Sequence, residues 1–113
     1  MPTINTNDLT GPALDWAVAK AEGPVANAYG EILPQQPRYS SDPAEGQPII
    51  EREKISTWDA SGVGHEYAWG AYKTINHNHE HHTCGPTALI AAMRCYVQSR
   101  LGPTVDVPQE LVP

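Results

Sequence analysis

The stretch "GPTALIAAMRCYVQSRLGP", residues 85–103, constrains this chain more than any other. Gly85-Pro86 opens it and Gly102-Pro103 closes it, the punctuation that starts and stops an α-helix. Between them Leu89, Ala92, Met93, Tyr96 and Val97 recur at helical spacing, and Ile90, Ala91 and Leu101 widen the stripe. Only Arg94, Gln98, Ser99 and Arg100 interrupt it. A helix apolar over so much of its circumference has to be covered by the rest of the chain, so it is expected to be the most buried element. With 113 residues, the chain has enough length for one domain, residues 1–113, around a single modest core.

A second helix is expected in "TGPALDWAVAKAEGP" near the start. Thr10 suits the N-cap, Pro12 the first turn, and Gly23-Pro24 ends it. Leu14, Ala17, Val18 and Ala21 form its apolar stripe, while Asp15 and Lys20 match the helix dipole. Between the two helices the pattern favours short strands at residues 25–33, at "PIIERE" (residues 48–53) and at "EYAWGAYKTI" (residues 66–75). Residues 34–46 have loop composition and are expected to be a mobile connection, and residues 58–64 read as a turn. "TVDVPQELVP" predicts an edge strand followed by a helical turn begun at Pro108. Eleven Pro and nine Gly make the whole loop-rich. The expected class is α+β, with two helices packed on one face of a small antiparallel sheet.

Charge and cysteine usage exclude several classes of function. Thirteen acidic against seven basic residues give a formal charge of -6, which repels phosphate backbones, and no Lys/Arg cluster in the sequence offsets it. Nucleic acid is therefore not an expected partner. No apolar run approaches the ~20 residues of a membrane span, and "MPTINTNDLTG" has neither the basic nor the apolar region of a signal peptide. If Cys84 and Cys95 share one helix, they stand about 16 Å apart, beyond the ~7 Å between Cα atoms that a disulfide spans. Two unpaired thiols fit a reducing cytoplasm.

The stretch "NHNHEHHTC", ahead of the buried helix, holds four of the five histidines. "CGPTAL" is similar to the start of the catalytic helix in papain-like peptidases of the bacteriocin-processing kind, and a cysteine at a helix start is activated by the dipole. In those enzymes the base follows the cysteine, whereas here every histidine precedes Cys84 and 29 residues remain after it. Chain order thus argues against that reaction, and no catalytic residue is assigned. If the segment continues a strand, His77, His79 and His81 fall on one face at period two, a spacing suited to an open zinc site with Cys84 as a further soft ligand. That reading carries the alternative function, a zinc-dependent hydrolase; the plainer one is a solvated polar loop. At the helix start, Thr83, Gly85 and Thr87 could hold an anion on unpaired backbone N–H groups, although a Thr there more simply caps the helix. Trp58 and Trp69 are the aromatics available to stack on a ligand, Trp58 being the more exposed of the two by expectation and Trp69 the more core-like. Arg52 and Arg94 are candidate phosphate partners.

Three segments, "LTGPALDWAVAKAEG", "GQPIIEREKI" and "GPTALIAAMRCYVQSRLG" with "VDVPQEL", occur in the order found in the NinX-like family of small lambdoid-phage and prophage proteins, which the chain resembles. The resemblance covers roughly half of the chain and leaves out the histidine run. It implies a phage accessory protein of the host bacterial cytoplasm and brings no reaction or catalytic residue with it. The expected mode of action is therefore binding without catalysis. The expected ligand is either a host protein or a small anion such as a nucleotide-type signal, sequestered to blunt host defence, with a homo-oligomer as one way to enclose it.

Overall fold

The buried helix of the sequence is the centre of the molecule. In the computed structural model, which describes residues 2–22, 38–60, 68–75 and 78–111, it runs over Ala88–Leu101 and is here called α3. Its residues 91–97 are all buried, including Arg94, so the helix is covered on every side. Preceding it in the chain are β1 (Thr3–Asn5), α1 (Gly11–Glu22), α2 (Pro43–Glu53), β2 (Ile55–Asp59), β3 (Trp69–Ile75) and β4 (Asn78–Gly85), and β5 (Thr104–Asp106) follows it. Single 3-10 turns lie at Thr6–Asp8 and Gln109–Leu111, the second at the helical turn expected after Pro108.

α3 touches all three strands of the antiparallel sheet β2-β3-β4 and also α1 and α2. Leu14, Ala17 and Val18 of α1, Ile49 of α2, Ile55 of β2 and Ala71 of β3 close around Met93, Tyr96 and Val97. Each fully buried large side chain in such a core is worth about 1.5–3 kcal/mol relative to exposure. A second sheet of two strands joins the chain ends, with Thr3 opposite Asp106 and Asn5 opposite Thr104. Thr6 donates its backbone N–H to Pro103 and its hydroxyl to Gly102, which ties this small sheet to the end of α3.

The architecture is α+β, as expected, but it has three helices and two sheets in place of two helices and one. The additional helix is "PIIERE", read from sequence as a strand. Asp42 accepts from the N–H of Ala44, Pro43 occupies the first helical turn, and Lys54 ends the helix in the left-handed region at φ 55 with its N–H on Ile50. These capping interactions outweigh Pro48, which sits inside the helix and removes one backbone bond. The supposed loop 34–46 is accordingly a turn at residues 38–41 leading into α2, with 34–37 outside the described residues. Of the turn expected at 58–64, Trp58 and Asp59 belong instead to β2, and residues 61–64 lie outside the described residues. The strand expected at residues 25–33 also lies outside it.

β4 continues to Gly85, so Cys84 is on a strand and Cys95 on a helix; both are free thiols. The N-cap of α3 is Thr87, whose hydroxyl accepts from the N–H of Ile90 at 3.1 Å. Thr83, expected at that cap, is buried in β4 and donates its hydroxyl to the carbonyl of Ala91 at 2.8 Å.

Candidate functional site

The face of the β2-β3-β4 sheet that carries Ala71 and Thr83 packs on α3. Alternation sends Ser56 and Trp58 of β2, and Gly70, Tyr72 and Thr74 of β3, to the opposite face. Trp58 pairs with Gly70, and Gly70 with Cys84, so the three make one row across the sheet. A Cβ on Gly70 would lie 2.3 Å from Cε2 of Trp58, which means that the indole rests directly on the glycine backbone. The ring is 44% exposed, the most exposed large hydrophobic side chain among the described residues. One of its faces is thus fixed by the neighbouring strand while the other remains open.

Beside this row Tyr72 stacks on His82, with ring centroids 5.5 Å apart at 35°. The stacking is possible because β4 is irregular there. Ala71 pairs with Thr83 but Lys73 with Glu80, so His81 and His82 together oppose Tyr72 as a β-bulge. His81 takes φ 59, a left-handed conformation rare for a residue with a side chain. The outer face has no acidic and no permanently cationic side chain among the described residues.

A second cluster forms at the ends of the helices. Glu53, whose side chain is 9% exposed, accepts from Arg52 at 2.9 Å, Lys73 at 3.0 Å and Arg100 at 3.2 Å. Burial pushes this carboxyl up, but the donors outweigh it and hold it at about 2. Arg52 also clamps Glu22 with both terminal nitrogens, and Tyr96 donates its hydroxyl to Glu22 at 2.6 Å. Burial, followed by that bond to Glu22, raises the Tyr96 hydroxyl to about 12. Cys95, beneath the cluster, is pushed up to about 12 by burial, an inert core thiol.

The structure distributes the sequence-derived candidates rather than gathering them. Trp58 is on the outer sheet face; Trp69 is half-buried and packs against the core. Arg52 is engaged by Glu22, Glu53 and Tyr96. Arg94 is buried and donates to the carbonyls of Leu9 at 2.9 Å and Cys84 at 2.7 Å, pinning β4 to the start of α1. Thr83 and Thr87 bond within the fold, and Gly85 is buried where a Cβ would meet the backbone N of Ala91 at 2.9 Å. At the helix start the side chain of Thr87 takes the N–H of Ile90. His77 lies outside the described residues, and the bulge breaks the period-two alternation before His81. Among the described residues no group of three or more His, Cys, Asp or Glu side chains is placed to hold a metal ion. Sequence reasoning missed Gly70 as the seat of Trp58, although a glycine inside a strand is a signal of close approach. It also missed the Glu53 cluster, whose partners come from four separate elements.

Fold and site together define a small α+β protein with one open aromatic sheet face and one ionic cluster at the helix ends. No helix among the described residues is long and apolar enough to cross a membrane. The family model described as bacteriophage P22, NinX matches residues 5–100, from the last residue of β1 through nearly all of α3. The chain belongs to this NinX family of phage proteins. No curated protein matches it.

Proposed function

We propose that this NinX-family chain is a phage accessory protein that acts by binding, and that a host protein meets it at the outer face of the β2-β3-β4 sheet. The observation that carries this reading is the indole of Trp58, seated on Gly70 and 44% exposed. A large aromatic held on one side loses little freedom when its other side is covered, which is the usual basis of a binding hot spot. Tyr72 and His82 extend the surface, and the absence of acidic groups among its described residues spares a partner the repulsion of an acidic chain.

A host protein is preferred to a sequestered nucleotide because stacking and charge are separated. Arg52 and Arg94, the candidate phosphate partners, are committed to carboxylates and carbonyls on other elements. The biological outcome we assign is interference with a host defence from within the bacterial cytoplasm. Immobilised protein incubated with lysate of the host bacterium tests the reading. The wild-type chain is expected to retain a specific protein that Trp58→Ala does not, with binding weakened by about 2 kcal/mol or more. Equal capture by both would remove Trp58 from the interface. A rise in melting temperature with nucleotides, absent for host proteins, would favour sequestration instead.

A further inference from the structure

Five ionised side chains meet near the last turns of α1, α2 and α3: Glu22, Arg52, Glu53, Lys73 and Arg100. They carry +1 together, so the rest of a chain of formal charge -6 carries -7. The cluster is thus a place where an anionic group meets a local surplus of positive charge. Four of the five N–H donors of Arg52 are engaged: its Nε reaches Glu53, and its terminal nitrogens reach Glu22 and Tyr96. Arg100 is less committed. Its Nη2 reaches Glu53 at 3.2 and 3.3 Å, while its Nε and Nη1 have no hydrogen-bond partner among the described residues.

Both guanidinium carbons stand 5.6 Å from the ring centroid of Tyr96, which is itself buried. The two arginine side chains are each 49% exposed. Stacking on a fixed aromatic reduces the freedom an arginine loses on binding, and its uncommitted Nε and Nη1, on opposite edges of the guanidinium, can each donate to a separate carboxylate.

We propose that Arg100, backed by Arg52 and Tyr96, is a recognition site for a carboxylate-rich segment of a partner protein. Two separate donors in a surplus of one charge suit successive carboxylates of a flexible acidic peptide. It does not suit a nucleic acid, whose retention needs many phosphate contacts against the remaining negative field. A second copy of this chain would bring its own negative field with it. The site involves α3 and is separate from the Trp58 face, so it stands or falls independently of the function proposed above.

The test is titration of a labelled oligoglutamate peptide into the full chain, followed by fluorescence anisotropy at low and high salt, with oligoglutamine and inorganic phosphate as controls. Wild type is expected to bind oligoglutamate at low salt, more weakly at high salt, and oligoglutamine not at all. Arg100→Gln, with an unchanged melting temperature, should weaken binding roughly tenfold, while Trp58→Ala leaves it unchanged. Arg100→Glu should abolish it, and Arg100→Gln decides the matter if that variant does not fold. Equal binding by wild type and Arg100→Gln overturns the proposal, as does no binding at low salt. Displacement of the peptide by phosphate at equal concentration would reduce the site to a generic ion contact. Arg100-dependent self-association in sedimentation would replace the peptide by a second copy.

Discussion

Trp58 lies on Gly70, its direct partner on the neighbouring strand, and leaves no room between ring and backbone for even one methyl group. Gly70→Ala would force a Cβ to within 2.3 Å of the indole. The ring must then lift off the sheet. A loss of about 1–3 kcal/mol is expected, by analogy with overpacking a filled site. Red-shifted tryptophan emission and a lower melting temperature would accompany it. Unchanged emission and stability in Gly70→Ala would show that the ring is not seated on that backbone in solution.

The buried carboxyl of Asp15 accepts from the N–H of Ser40 at 2.8 Å and so fastens the turn before α2 onto α1. Burial raises its pKa despite the opposing bonds from Ser40. A carboxyl with a raised folded-state pKa adds stability below its usual value near 3.8 and loses that contribution as the pH rises through the higher one. Ionised Asp15 therefore works against folding at neutral pH. Asp15→Asn keeps an acceptor without the charge and should be as stable as wild type or more stable at pH 7, with the advantage vanishing near pH 3. Asp15→Ala leaves the N–H of Ser40 buried and unpaired and should lose about 1–3 kcal/mol. Urea denaturation of the three proteins at both pH values decides it.

Glu53 has the opposite sign. Its carboxyl is held at about 2, below the usual 4.5, so its contribution is complete above pH 4.5 and is lost as the pH falls toward 2. Up to about 3 kcal/mol is at stake, less what screening removes at the half-exposed Arg52 and Arg100. Glu53→Gln should lack that stability at pH 7 and show a flatter stability curve between pH 4.5 and pH 2. A parallel loss of stability in both proteins over that interval would assign the acid sensitivity to other carboxylates.

His81→Gly is expected to stabilise the protein. His81 takes φ 59 in the bulge, a conformation that glycine adopts without a steric penalty. After the greater entropy loss of glycine is set against this, a gain of about 0.5–1 kcal/mol remains. Thermal unfolding measures it, and destabilisation would mean that the imidazole makes a contact worth more than the strain.

The two helices with clean periodic stripes were legible because burial of a helix face leaves its spacing in the chain. α3 and α1 differ from expectation only at their boundaries. β3 and β5 were legible for the corresponding reason, alternation bounded by turn residues. α2 reads as a strand from sequence because Ile49-Ile50 beside Pro48 looks like a strand start, while the Asp42-Pro43 cap ahead of it has the composition of a loop. The N-cap of α3 lies four residues beyond Thr83, the cap expected from the sequence. β4 runs on through Gly85, and Thr83 faces the core instead of the helix end. The exposure of Trp58 was foreseeable from its glycine-rich surroundings. The meeting of Glu22, Arg52, Lys73, Tyr96 and Arg100 was not, since these residues are separated by up to 78 positions and only the packing of three helices brings them together.

The bulge at His81-His82 divides β4 into two parts with separate register. The part from Thr83 to Gly85 is fastened by Thr83 to α3, by Arg94 to Cys84, and by the N–H of Cys84 to Asn7. The part before the bulge pairs only with β3 among the described strands. An insertion or deletion of one residue there can be taken up at the bulge without turning Thr83 away from the core. The histidine-rich segment is consequently the portion of this strand least tied to the other elements, while its last three residues are held in place by the rest of the molecule.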